Sequence, residues 1–304
     1  MAISRHQLVK ELEPGLNALF GLEYKRYDNQ HAEIYTSESS DRAFEEEVML
    51  SGFGNASVKS EGSGVAFDNA QESYSARYTH ETVALAFAIT EEAIEDNLYD
   101  RISSRYTKAL ARSMSNTKQV KAAAPLNNGL PSVDGFDSGD GVSLFNTAHT
   151  TVSGTNVKNT LSTQADLNET SLEQAMIDIS GMTDERGLRI AAKAVKMIVP
   201  SANQFAAERL MKSQGRTGTA DNDINALGSM GMIPQGYRVN NFLTDTDSFY
   251  IITDVPNGMK MFTRAPLTTA MEGDFDTGNV RYKARERYSF GVSDFRGIFG
   301  VEGA

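Results

Sequence analysis

The chain has 304 residues, 40% of them hydrophobic and 23% charged, which is the composition of a globular protein able to bury a real core. Cysteine is absent, so disulfide staples, thiolate nucleophiles and sulfur-built zinc sites are excluded. Against 29 basic residues stand 40 acidic ones, a formal charge of -11, so a nucleic-acid backbone repels the whole molecule and any DNA contact must be local and weak.

No run approaches the roughly 18 apolar residues of a membrane span, and the opening MAISRHQLVKELEPG lacks the apolar segment of a secretion signal. A cytosolic product is expected. Leu8, Leu12, Leu16, Leu19 and Phe20 fall at helical spacing, interrupted by Pro14 and Gly15, which predicts a short amphipathic helix and then an extended arm. From Tyr24 to Phe44 aromatics are scattered without a period, as in an arm that needs a partner to cover it.

Ser51 to Gly64 is rich in glycine and serine and should project from the body. Ser73 to Phe87 alternates as a strand, with Tyr74, Ala76 and Tyr78 on one face, and with Glu45 to Leu50 it predicts a long two-stranded excursion. A helix is predicted from Thr90, an N-cap followed by Glu91 and Glu92, with Ile94, Leu98, Ile102, Tyr106, Ala109 or Leu110, Met114 and Val120 as its apolar stripe and Pro125 as its end. At ~1.5 Å per residue it would be about 50 Å long, more than most single domains need.

After a loop-rich stretch from Leu126 to Ser162, a helix from Asn168 or Thr170 to Met182, a buried strand at Ala194 to Val199 and a helix at Ala202 to Lys212 predict a compact α+β unit. A second loop spans Ser213 to Asp223. Phe249 to Asp254 and Met259 to Phe262 read as short strands around a Pro256-Asn257-Gly258 turn. Val280 to Val292 is the clearest strand. Val280, Tyr282, Ala284, Tyr288 and Phe290 share one face, and Arg281, Lys283, Arg285 and Arg287 share the other.

Little here points to catalysis. His6, His31, His80 and His149 are dispersed, without metal-ligand spacing, so neither a metal nor any other cofactor is expected, and His149 reads as a loop histidine bonded to backbone. Asp245 with Asp247 and Asp274 with Asp276 can each be half of a hydrolase or cation site, but both pairs sit in turn sequence, where aspartate caps its own backbone. No phosphate-cradling glycine motif or nucleophile elbow is present. The four cations of the last long strand can bind phosphate or meet acids of a neighbouring subunit, and spacing alone does not separate these from a solvated face.

The runs LEPGLNALFG, SDRAFEEEV with the glycine-rich loop after it, RYTHETVALAFAITEEAIEDNLYD, TADNDINAL with GMIPQGY, and EGDFDTGNVRYKARERYSFG follow one another in an order that resembles tailed-bacteriophage major capsid proteins of the HK-ninety-seven-type fold, over the whole chain. The resemblance implies an α+β architecture: an N-terminal arm at 1–44, an extended hairpin loop at 45–90, a peripheral domain with a long spine helix at 91–160, an axial domain at 161–270, and a return strand with the C-terminus at 271–304. It implies a non-enzymatic subunit that forms pentamers and hexamers of a shell around double-stranded DNA, within the virion, after assembly in the host cytoplasm. With the arm starting almost at Met1, a separate scaffolding protein is expected, together with a portal and a decoration protein. Some relatives cross-link a loop lysine to an asparagine. Lys59 is the lysine of this loop, and no matching asparagine or assisting acid is recognisable by motif. Contacts between subunits are expected at Arg281, Lys283, Arg285, Arg287, Lys59, Leu12, Leu16 and Phe20. Another phage structural part, of tail or decoration type, and an aspartate-dependent hydrolase are the alternatives.

Overall fold

A computed structural model describes residues 5–90, 92, 99–133, 135–215, 223–274 and 278–304, the side chains of 5–12 and 99–102 apart. Helix α1 (Arg5–Arg26) runs unbroken through Pro14, where a break was expected. Proline inside a helix costs about 3 kcal/mol. The compensation is packing: Leu16 and Phe20 are buried against Leu110, Ala111, Met114 and Tyr282. The segment after α1 is also tied down instead of awaiting a partner. A short 3-10 helix (Gln30–Glu33) leads to β1 (Thr36–Ser39), Ile34 and Tyr35 enter the main core, and the Tyr35 hydroxyl donates to the Ala122 carbonyl at 2.7 Å.

Strands β2 (Phe44–Leu50) and β3 (Glu72–Thr79) form an antiparallel hairpin of their own. The single strand expected to reach Phe87 is broken at His80, and β4 (Glu81–Ile89) joins a different sheet. Helix α2 (Tyr99–Asn128) is 30 residues, about 45 Å, and passes through Pro125 instead of stopping there. Glu91 of the expected first turn and Ile94 and Leu98 of the expected stripe lie outside the described residues, as do the side chains of Ile102 and, in α1, Leu12. Tyr106 and Val120 of that stripe are exposed. The buried face is Ser103, Thr107, Leu110, Ala111, Met114, Ser115, Gln119, Ala122, Ala123 and Leu126, a regular three-and-four spacing in which several members are small and polar.

A two-residue pair, β5 (His149–Thr150) with β6 (Asn156–Val157), precedes α3 (Glu169–Gly181). Asn168 caps α3, its side chain accepting from the Ser171 amide while the Ser171 hydroxyl accepts from the Asn168 amide. β7 (Ala194–Val199), stopped by Pro200 as expected, is followed by α4 (Gln204–Lys212), α5 (Ala226–Met230), β8 (Tyr237–Val239) and β9 (Phe249–Thr253). Long strands β10 (Met259–Gly273) and β11 (Val280–Val292) and the closing β12 (Ile298–Val301) complete the chain.

Two four-stranded sheets result. One has the order β1, β10, β11, β4, with β1 parallel to β10 and the other neighbours antiparallel, and α1 and α2 cover one face. The other has the order β12, β9, β7, β8 and is packed with α3, α4 and α5 around the main core. Strands β9 and β10 are therefore not a hairpin: at Pro256–Gly258 the chain crosses from the second sheet to the first, and β10 continues eleven residues past its expected end at Phe262. The crossing is tight enough that a Cβ on Gly258 would stand 2.8 Å from the Cα of Gly297. Strands β4 and β10 thus pair within the helix-backed sheet, and the closing β12 joins the sheet of β7, β8 and β9.

Candidate functional site

The hairpin of β2 and β3 carries residues 51–71 at its end, and this end is where the surface departs most from that of a self-sufficient globule. Val58 and Phe67 are each 97% exposed, with Phe53 and Val65 also outward, and Phe44, Val48 and Leu50 line the outer face of the hairpin behind them. Asp68 holds the end together by accepting from the Gly54 amide at 2.8 Å, and an Asp68–Arg186 ion pair of 2.9 Å ties it to the body. The bonds to Gly54 and Asn69 hold the Asp68 carboxyl below the usual carboxylate range. Lys59 is exposed in this loop.

Buried polar networks fix the root of the hairpin. On β2, Glu47 bonds Lys260 of β10 and Ser293, and Lys260 also pairs with Glu38 of β1 at 3.1 Å. On β3, the Ser73 hydroxyl donates to Glu185, which also accepts from the Val152 amide and pairs with buried Arg296 at 2.7 Å. The elbow residue His80 bonds Ser40 at 2.9 Å and Ser289 at 3.0 Å. Apolar contact adds to these, the Tyr78 and Phe262 rings meeting edge to face at 4.8 Å between centroids.

The face of β11 turned away from α2 carries the cations. Arg281, Lys283 and Arg285 are exposed and Arg287 is half-buried, following the period of two read from the sequence. Arg281 pairs with Asp274. Opposite Lys283 stand Ala86 and Ala270, and opposite Arg285 stand Ala84 and Thr268, so no carboxylate faces either cation from the adjoining strands. The opposite face holds one acid that the sequence reading passed over. Glu286 lies among Tyr282, Ala284 and Tyr288, and it meets Lys118 of α2 at 3.2 Å. Burial holds its carboxyl above the usual range although Lys118 pulls the other way.

Residues 73–301 match the family described as phage capsid protein. The chain belongs to that family. No curated protein matches it. Among solved structures it is similar to the virus-like particle from Pyrococcus furiosus (10% identity, covering 95% of this chain and 98% of that one, TM-score 0.54). It is similar as well to the capsid of Myoviridae phage XM1 (13% identity, 89% of each chain, TM-score 0.54) and to the capsid of an empty GTA particle (16% identity, 90% of this chain and 89% of that one, TM-score 0.54). The α+β architecture is the HK-ninety-seven-type capsid fold.

As a capsid protein the chain is a structural component of the virion that works by oligomeric assembly, and its polar clusters are architectural. The Asp247 amide donates to Asp245 at 3.1 Å, which is the turn-capping role; Asp276 lies outside the described residues. His149 is buried, but it bonds side chains where backbone was expected: Nδ1 meets Asp140 at 2.6 Å, Nε2 meets Asn159 at 3.1 Å, and its ring stacks on Phe295. Among the described residues no group of three potential metal ligands stands together. Leu16 and Phe20, expected to reach a neighbour, are spent inside the capsid subunit against α2 and β11.

Proposed function

We propose that this capsid protein is the major head subunit, assembling as pentamers and hexamers into an icosahedral-type shell around double-stranded DNA. The observation that carries the reading is the projecting loop. Burying Phe53, Val58, Val65 and Phe67 gains free energy in proportion to the apolar area removed from water, about 25 cal/mol per Å², and the subunit itself offers nothing to cover them. Neighbouring copies do, and a closed lattice lets every copy both give and receive such a contact. Rings form through the sheet of β7, β8, β9 and β12 and its helices, acting as the axial domain, with the helix-backed sheet and the hairpin joining adjacent copies.

The same reading includes a separate scaffolding protein, a portal and a decoration protein as partners, with assembly in the host cytoplasm. The chain's charge of -11 suits a container that holds its DNA through weak, non-specific contact. Negative-stain electron microscopy of the purified protein, alone and with a candidate scaffolding protein, tests it. Closed shells or flat hexameric sheets are expected; uniform small particles under both conditions would refute the shell.

A further inference from the structure

Two arginines near the elbow of the hairpin each keep one buried donor without a partner. Between the pairs Thr263–Tyr288 and Ala265–Arg287 strand β10 contains one extra residue, Arg264. Such a bulge re-aims a side chain and leaves a residue out of the regular ladder. The Nε atoms of Arg264 and Arg287 are both shielded from water and make no hydrogen bond among the described residues. A buried donor without a partner is costly, the more so on a charged group, so a ligand that supplies an acceptor here is favoured.

The two guanidinium groups act on one place. His80 is held below its usual value by burial first, and then by Arg287 and Arg264, with Glu45 opposing. Glu45, the carboxylate that faces this cluster, is already engaged: it accepts from the Ser40 hydroxyl at 2.7 Å and lies 4.0 Å from Arg42. His80 has both ring nitrogens occupied by Ser40 and Ser289, so it offers no free donor to this cluster. Arg285 and Lys283 continue the positive row along β11, with no acid directly opposite either of them on the flanking strands.

Resting on the shell reading above, we propose that Arg264 and Arg287 form a receptor for a side-chain carboxylate presented by a second copy of this chain. A guanidinium matches a carboxylate through two parallel N–H bonds. Both arginines are half-buried with their Nε atoms shielded from water, which suits the slim end of a glutamate or aspartate better than the broad convex surface of a duplex. An acidic chain with 40 carboxylate residues against 29 cations makes a neighbour's carboxylate the most abundant counter-charge in a lattice.

The test compares the full-length protein with Arg264→Gln/Arg287→Gln in the assembly assay, together with circular dichroism, thermal unfolding and binding to a 30-base-pair DNA duplex. Expected are an unchanged spectrum and melting curve and a rise of roughly tenfold or more in the concentration needed for assembly. Assembly at the parent's concentration would overturn the receptor, and so would normal assembly with loss of duplex binding, which would make phosphate the ligand. A parent protein that never assembles would overturn the shell reading and the receptor with it. A cryo-electron microscopy map of parent shells decides without a variant: a neighbour's carboxylate oxygen within about 3.5 Å of either Nε is expected, and solvent or phosphate there overturns the proposal.

Discussion

Lys118 of α2 and Glu286 of β11 pair at 3.2 Å in the seam between the long helix and the sheet that it covers. Lys118 also lies over the Tyr288 ring, 5.1 Å from its centroid. Removing one partner of a buried pair strands the other charge, whereas replacing both with apolar groups is often neutral or better. Lys118→Met is therefore expected to lower unfolding free energy by about 3 kcal/mol. The double variant Lys118→Met/Glu286→Leu should recover most of it. Urea denaturation of both checks this; a double variant no better than the single would refute it.

His31, inside the junction of the arm with α2, is depressed from 6.5 to about 4 by burial first and by Lys118, against its bond to Gln119. Because the folded value lies below the unfolded one, its stabilising contribution is present above pH 6.5 and is lost as pH falls toward 4. From this residue the parent should lose on the order of 2 kcal/mol between neutral pH and about pH 4. Urea midpoints of the parent and of His31→Asn across that range should converge as pH falls. Parallel curves would show that His31 does not titrate in this way.

Gly258 and Gly297 touch backbone to backbone where the chain crosses between the sheets. Gly297→Ala places a methyl group onto the Cα of Gly258, and overpacking of this kind costs about 1–3 kcal/mol. The thermal midpoint should drop by several degrees. An unchanged midpoint would mean that the crossing yields freely.

Val58 and Phe67, almost wholly exposed, contribute little to the isolated subunit. Val58→Ser/Phe67→Ser is expected to leave the monomer's stability within about 0.5 kcal/mol of the parent, as surface changes usually do, while assembly fails or needs far more protein. Sedimentation velocity and thermal unfolding together separate the two effects, and normal assembly of the variant would remove the loop from the interface.

The elements that the sequence announces well are those with a local signal: the strand of Val280 to Val292, the strand stopped by Pro200, the capped helix at Asn168, and the glycine-rich projection. Glu286 was also findable, since its position in a period of two puts it on the buried face with Tyr282 and Tyr288. Arg264 was not, because a bulge is a mismatch between two strands and only the pairing reveals it.

By itself, then, the sequence determined the elements with the strongest local patterns, that one loop projects, and, through the order of its motifs, the family. Tertiary structure decided what those segments do to one another. Packing against α2 carries α1 through Pro14 and spends Leu16 and Phe20 internally, because burial of large side chains outweighs a local helix penalty. Sheet pairing splits β3 from β4 and sends β10 away from β9. It also leaves the Nε atoms of Arg264 and Arg287 without an acceptor, since strand partners are chosen by contacts distant in sequence that no local pattern encodes.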